Sequence, residues 1–120
     1  MVWTEKQIKQ HKKVAELLIK IKDLTFDYLR ENLDCTEYGT QQFVLEQFKE
    51  KGLVNERDAP IVAFGENTSQ VHYFPDKDCK ILCENCLVLI DIWARLDEED
   101  APYADITWMG YKGEKFLKKF

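Results

Sequence analysis

The sequence predicts an α+β domain in which two N-terminal helices pack on an antiparallel sheet. Two observations carry this prediction. Apolar residues recur at steps of three and four up to about residue 51, which is the spacing of an amphipathic helix. Short apolar runs separated by turn residues follow from about residue 60, as is typical of strands. The chain of 120 residues fits one domain, 1–120.

Two helices are predicted, over about residues 5–31 and 37–51. Thr4 and Gln7 stand three positions apart at the start of the first helix, as in a capping box. Gly52 follows the second helix, and glycine commonly ends helices. The apolar face of the first helix comprises Ile8, Val14, Leu17, Leu18, Ile21, Leu24 and Tyr28.

Four short strands are predicted after the helices, over residues 60–64, 71–74, 87–94 and 103–111. The turn-rich stretch GENTSQ separates the first two strands. The acidic loop LDEED lies between the last two and suits a hairpin turn in water. The helices would then cover one face of the antiparallel sheet that these strands form.

Composition and charge restrict the partners of the chain. A net charge of −5 and a pI of about 5.1 argue against a nucleic-acid partner, which needs a concentrated basic surface. The longest apolar run, LVLI at 87–90, is far too short to span a membrane. The start, MVWTEKQIKQHKK, has no apolar stretch of a secretory signal. We therefore expect a cytoplasmic, reducing location, where the cysteines are thiols rather than disulfides.

Three of the four cysteines lie within the stretch CKILCENC, as Cys79, Cys83 and Cys86. This spacing is the one that radical enzymes use to hold an iron–sulfur cluster. A closed zinc site needs a fourth ligand, and the remaining candidate, Cys35, lies far upstream. Cys86 also opens an apolar strand, where a thiol behaves as a small apolar side chain. The sequence favours ordinary thiols over a cluster or zinc site.

Two aspartates stand in strands that otherwise look buried. Asp91 ends the run LVLI and Asp105 lies within YADIT. A hairpin through the LDEED loop would let both carboxylates point to one face, where a divalent cation would relieve their repulsion. The alternative is a strand-end aspartate that pairs with Arg95 or with a backbone amide. The spacing alone favours neither. Because side chains alternate along a strand, Asp91 shares its face with Trp93 and Arg95. On the other strand, Asp105 shares its face with Thr107 and Met109.

The two histidines differ in context. His72 stands in the predicted strand at 71–74, where it could be a ligand, a proton donor or a hydrogen-bonded core residue. A lone histidine in such a place is most often the last of these. His11 lies among lysines on the first helix and is expected at the surface.

Three stretches, IVAFGENTSQVHYFP, LVLIDIWA and YADITWMG, taken in this order, resemble the catalytic domain of the metal-dependent aminopeptidase superfamily. This superfamily has the "pita-bread" fold and includes Xaa-Pro dipeptidases (prolidases), Xaa-Pro aminopeptidases, methionine aminopeptidases and creatinase. The resemblance covers nearly all of the chain and only the N-terminal half of that domain. It implies half of a pita-bread fold, with the same two helices and antiparallel sheet.

The resemblance also implies a site. Asp91 would chelate one divalent ion, Asp105 would bridge two ions, and His72 would orient the substrate beside the scissile bond. Manganese or cobalt would be the metal, and a metal-bridging water would attack a peptide carbonyl. Two departures stand out: Trp93 replaces the family's usual glycine, and Trp108 replaces the arginine that usually follows Asp-Ile-Thr. The interval between the aspartates is also longer than usual.

The remaining family ligands, a histidine and two glutamates, lie beyond the position of Asp105. Only Glu114 follows here, in no matching motif, and no histidine does. We therefore expect a fragment or truncated form of a dinuclear-metal Xaa-Pro dipeptidase or aminopeptidase-like hydrolase, inactive alone, with weak or absent metal binding. The alternative is a non-catalytic oligomerisation or binding module. The expected partners are a peptide substrate if the site is completed, and a missing C-terminal half or a second copy that forms a homodimer.

Overall fold

The computed structural model describes residues 3–32, 34–56, 59–69, 86–112 and 117–119, the last of these by backbone alone. The predicted strand at 71–74 lies outside the described residues. No helix within the described ranges is both long enough and apolar enough to cross a membrane.

Helix α1 spans Glu5–Glu31 and begins with the predicted capping box. The Thr4 hydroxyl accepts a hydrogen bond from the Gln7 N–H at 3.1 Å, and Gln7 Oε1 accepts one from the Thr4 N–H at 2.9 Å. The Gln7 amide also donates from Nε2 to the carbonyl oxygen of Asp100, 3.1 Å away. The start of the helix is therefore bonded to the loop between two distant strands.

Helix α2 spans Glu37–Glu50. The Thr36 hydroxyl caps it by accepting from the Gly39 N–H at 2.9 Å. Gly52 follows with a φ of 69°, a left-handed conformation that glycine adopts at little cost. The predicted helix end at Gly52 is therefore confirmed.

Within the described ranges five strands follow: β1 (Leu53–Val54), β2 (Ile61–Phe64), β3 (Cys86–Leu96), β4 (Ala104–Lys112) and β5 (Leu117–Lys119). All described pairings are antiparallel. The long strand β3 is central: β1 and β2 pair with different parts of one edge, and β4 pairs along the other. Strand β5 pairs with the end of β4.

Both helices lie on one face of this sheet. α1 packs against β3 and β4, and α2 packs against β1 and β2. Alternate residues of β3 are buried beneath the helices, namely Cys86, Val88, Ile90, Ile92, Ala94 and Leu96. They meet the apolar stripe of α1, of which Val14, Leu18 and Ile21 are fully buried. The predicted α+β class, with two helices packed on an antiparallel sheet, is confirmed.

Two strands were missed by the sequence patterns. β1 and β5 contain two and three residues, too few for an alternation of apolar and polar side chains to show. The predicted hairpin is present. Its first strand is longer than expected, since β3 begins at Cys86 and ends at Leu96. Its second strand has the expected length but begins and ends one residue later, at Ala104 and Lys112. The GENTSQ stretch forms a 3₁₀ helix over Gly65–Ser69.

One buried carboxylate joins the second helix to the sheet. Glu37, the first residue of α2, is fully buried. Its Oε2 accepts a hydrogen bond from the backbone N–H of Phe64 at 2.6 Å. Both of its oxygens lie 3.2 Å from Nδ2 of Asn67. The N-terminal end of a helix favours a negative charge. Glu37 thereby holds the end of β2 and the 3₁₀ helix against the start of α2.

We expect Glu37→Gln to lower the free energy of unfolding by about 1–3 kcal/mol, because a buried donor loses its charged acceptor. Urea unfolding followed by far-ultraviolet circular dichroism measures this change. Glu50→Gln, on the exposed last turn of the same helix, is the matched control and should change stability by less than about 0.5 kcal/mol. Equal effects of the two substitutions would contradict the role given to Glu37.

Candidate functional site

The face of the sheet opposite the helices carries the candidate site. In β3 and β4 the pairing runs from Cys86–Lys112 to Ala94–Ala104, and directly paired residues point to the same side. Since the even-numbered residues of β3 face the helices, the odd-numbered ones face away. We call this surface the carboxylate face; it comprises Leu87, Leu89, Asp91, Trp93 and Arg95 of β3, and Asp105, Thr107, Met109 and Tyr111 of β4.

The two predicted metal ligands share this face. Asp91 pairs with Thr107, whose hydroxyl donates a hydrogen bond to Asp91 Oδ1 at 3.1 Å. Asp105 pairs with Trp93 and is exposed, whereas Asp91 is half-buried. The two aspartates are therefore diagonal neighbours across the hairpin, and the Cα atoms of such neighbours are typically about 7–8 Å apart. The expectation that the hairpin brings both carboxylates to one face is confirmed by this register.

The donor chemistry of the pair suits a hard divalent cation, because carboxylate oxygens are the ligands that such ions prefer. Asp91 and Asp105, one from each of two adjacent strands, could therefore supply two of the ligands of a divalent metal ion. Among the described residues, no three His, Cys, Asp or Glu side chains are grouped closely enough to hold a metal ion. His72, the residue expected to orient substrate, lies outside the described residues, as do Cys79 and Cys83.

Arg95 lies on the same face at the far end of β3. Its guanidinium contacts Glu56, with Nη2 and Oε1 2.5 Å apart, and donates from Nη1 to the Leu96 carbonyl oxygen at 3.1 Å. The Arg95 side chain is 18% exposed and that of Glu56 is 69% exposed. The Glu56 N–H also donates to the Tyr103 hydroxyl at 2.8 Å. Sequence reasoning missed Glu56, since 39 residues separate it from Arg95 and no pattern links them.

The two tryptophans that depart from the family pattern lie on opposite faces. Trp93 is on the carboxylate face, directly paired with Asp105. Trp108 pairs with Ile90 and is therefore on the helix side, where Nζ of the buried Lys22 lies 4.0 Å from the centre of its ring. A side chain at position 108 is thus directed away from the carboxylates. Only the departure at position 93 alters the candidate site directly.

Cys86 lies on the helix side as well, buried at the start of β3. This position agrees with the interpretation of that thiol as a small apolar side chain. Cys35, between the two helices, is a free half-buried cysteine. The Thr40 hydroxyl lies 3.6 Å from its sulfur. Neither sulfur lies on the carboxylate face.

Burial raises the pKa of the Cys35 thiol, and the Thr40 hydrogen bond only partly opposes this. Burial also raises the pKa of the Tyr28 hydroxyl, with a smaller contribution from Cys35. In both groups the folded chain therefore holds its proton more tightly than the unfolded chain. The associated stability is complete below the unfolded pKa of a thiol, about 8.5, and is lost as the pH rises through the folded pKa.

We therefore expect the free energy of unfolding to decline above about pH 8.5. Cys35→Ser keeps a group that can bond to Thr40 but removes the titrating thiol, so it should make this decline shallower. Urea unfolding of both proteins at several pH values between about 7 and 10 measures the two slopes. An identical pH dependence in the two proteins would contradict the assignment to Cys35.

Two hollows on the described surface lie elsewhere, where the start of α1 meets the hairpin loop. The larger, of about 530 Å³, is lined by Glu5, Lys6, Lys9, Gln10, Lys13, Leu96 and Glu98. The buried Gln10 amide donates from Nε2 to Glu98 Oε1 at 2.9 Å, while its Oε1 has no hydrogen-bond partner among the residues that the structure describes. Neither hollow includes Asp91 or Asp105.

Comparisons with known proteins agree with the geometry of the fold. Residues 9–119 match the model of metallopeptidase family M24. The structure is similar to that of a recombinant prolidase from Thermococcus sibiricus, with a TM-score of 0.78 and 23% sequence identity. The match covers 94% of this chain and 29% of the prolidase chain. A comparison with curated proteins gave no match. The structural likeness shows a shared fold, consistent with half of a pita-bread domain.

Proposed function

The chain belongs to metallopeptidase family M24, and on this premise we propose that it supplies the part of a dinuclear-metal Xaa-Pro dipeptidase or aminopeptidase domain that carries Asp91 and Asp105. The observation that supports this proposal is the register of β3 and β4, which places both carboxylates on the sheet face away from the helices. The chain spans 29% of the length of the similar prolidase.

In this proposal Asp91 would be a ligand of one divalent ion and Asp105 a ligand of both, with manganese or cobalt as the metal. Thr107 holds one oxygen of Asp91 by a hydrogen bond, which fixes the direction of the other oxygen. His72 orients the peptide beside the scissile bond. A bound metal pair would polarise the peptide carbonyl and lower the pKa of a coordinated water.

Two carboxylates on an open face bind a divalent ion weakly, because affinity grows with the number of charged ligands. We therefore propose that a polypeptide of these 120 residues binds metal weakly and does not hydrolyse peptides by itself. In this proposal the polypeptide contributes to peptide hydrolysis only when further metal ligands complete the site that Asp91 and Asp105 begin. A cytoplasmic location accords with the free thiol of Cys35.

A second candidate function is that of a non-catalytic oligomerisation module. Leu87 is 40% exposed at one end of the carboxylate face, with Leu89, Met109 and Tyr111 beside it. An apolar sheet surface of this kind favours a protein partner. In a homodimer through this face, Asp91 and Asp105 of a second copy would approach the first pair.

Manganese titration tests the metal assignment. Asp91→Asn and Asp105→Asn should each weaken Mn²⁺ binding by about tenfold or more, since each removes one charged ligand. Asp97→Asn, in the exposed hairpin loop, is the control and should leave the affinity unchanged. Electron paramagnetic resonance of free Mn²⁺ measures the Mn²⁺ affinity of the wild type and of the three variants. The same affinity in the aspartate variants and the control would refute the site.

Light scattering at micromolar concentration tests the homodimer. Leu87→Lys places a charge in the apolar part of the carboxylate face and should shift a dimer towards monomer. Ile19→Lys is the matched control, because Ile19 is similarly exposed, at 47%, on helix α1. A wild-type monomer, or equal effects of the two lysines, would exclude a homodimer through this face.

Measurable cleavage of Ala-Pro by the 120-residue polypeptide would contradict the proposed inactivity.

A further inference from the structure

We propose that the larger of the two hollows, where the start of α1 meets the hairpin loop, binds a free α-amino acid as a zwitterion. This hollow lies on the helix side of the sheet, because Leu96 in its wall is one of the β3 residues that face the helices. Asp91 and Asp105 lie on the opposite face, so the proposal does not depend on the function proposed above. It gives the chain a second site with a ligand of its own.

Three lysines form the positive side of the hollow. Lys6, Lys9 and Lys13 all line it, and they stand at steps of three and four on exposed positions of α1. Residues at these steps are neighbours on a helix surface, where like charges repel one another. Within the part of the chain that the structure describes, none of the three forms an ion pair. A bound carboxylate would relieve their repulsion.

Hydrogen-bond acceptors lie beside the lysines. Gln10 is only 5% exposed, and its Nε2 donates to Oε1 of Glu98, which also lines the hollow. The amide group of Gln10 therefore lies at the wall of the hollow. Its oxygen, Oε1, is buried and has no hydrogen-bond partner among the described residues. A buried acceptor without a donor is rare in native proteins, and an N–H group of a ligand would supply that donor.

An ammonium group suits this pair of acceptors. It carries a positive charge and three N–H donors, so it can bond to Glu98 and to Gln10 Oε1 together. Glu98 stands in the exposed hairpin loop, whereas Gln10 is held in the helix. In the proposal, the Glu98 side chain turns towards the incoming ammonium and thereby opens the enclosed Gln10 oxygen to it.

Charge and size together select the class of ligand. The lysines require an anion, and the acceptors at Gln10 and Glu98 require a cationic donor. A simple anion would meet the lysines but would be repelled by Glu5 and Glu98, which line the same hollow. A free amino acid satisfies both sides with one molecule. The volume of about 530 Å³ is within the range of about 300–1,000 Å³ that is common for small-molecule sites.

The walls of the hollow are held together before a ligand arrives. Gln7 bonds α1 to the hairpin loop through the Asp100 carbonyl oxygen, 3.1 Å from its Nε2. Leu96, at the end of β3, is buried against the helices and anchors the other end of this wall. A site whose walls are already in place loses less conformational entropy when it binds a ligand.

Nuclear magnetic resonance titration of the 120-residue chain tests the site with L-alanine, propionate and L-alaninamide, all in the presence of a metal chelator. Propionate lacks the amine of L-alanine, and L-alaninamide lacks its carboxylate. We expect L-alanine to bind about tenfold more tightly than either analogue, since each analogue loses one charge-assisted contact. The backbone amide resonances of Gln10 and Glu98 should move during the L-alanine titration.

Lys9→Gln removes the middle lysine and should weaken L-alanine binding by about tenfold. Lys12→Gln is the matched control, because Lys12 is equally exposed on α1 but does not line the hollow. It should leave the affinity unchanged. Equal effects of the two substitutions would overturn the site.

Glu98→Gln removes the anionic partner of the ammonium, so the preference for L-alanine over propionate should fall to about twofold or less. Gln10→Leu removes the unpartnered oxygen and should weaken L-alanine by about threefold without weakening propionate. Asp97→Asn, in the same exposed loop, is the control and should keep the full preference. Circular dichroism confirms that each variant is folded.

Equal binding of L-alanine and propionate by the wild type would overturn the zwitterion site, and so would the absence of L-alanine binding at millimolar concentrations. Asp91→Asn should leave L-alanine binding unchanged. If it abolishes that binding, the amino acid lies on the carboxylate face and the hollow is wrongly assigned. If Asp91→Asn and Asp105→Asn leave Mn²⁺ binding intact while Lys9→Gln weakens L-alanine binding, the metal assignment is wrong and the hollow stands.

Discussion

The register between β3 and β4 is the constraint on which the rest of the structure depends. Side chains alternate with a period of two, so a shift of one residue would exchange the two faces of a strand. Val88, Ile90 and Ile92 would leave the core, and Asp91 would enter it. Burial of the Asp91 carboxylate in an apolar core and exposure of three large apolar side chains both oppose that shift. The core and the candidate site are therefore set by the same pairing.

The two faces of the hairpin place different demands on the sequence. On the helix side, apolar side chains must fill the space beneath the helices, and Val88, Ile90 and Ile92 do so as fully buried residues. On the carboxylate face it needs particular chemical groups at particular steps. The two aspartates, Asp91 and Asp105, both lie on regular strands. A strand holds functional groups more firmly in place than a loop does.

The helices, the hairpin and the shared face of Asp91 and Asp105 could be predicted because periodicity and caps are local signals. The buried clamp of Glu37 and the ion pair of Arg95 with Glu56 could not, since each joins residues far apart in sequence. Family resemblance pointed to the residue types at 91 and 105 and flagged Trp93 and Trp108 as departures. Only the strand pairing revealed that one of these tryptophans faces the site and the other faces helix α1.

The bonds between helix α1 and the hairpin loop have a consequence for motion. Gln7 caps the helix with one end of its amide and holds Asp100 with the other, and Gln10 holds Glu98 one turn later. Fraying of a helix terminus is ordinarily an independent event of low free energy. Here it would break bonds to the loop as well. Backbone amides in the first turn of α1 and in the loop should therefore exchange their hydrogens with solvent as one cooperative unit.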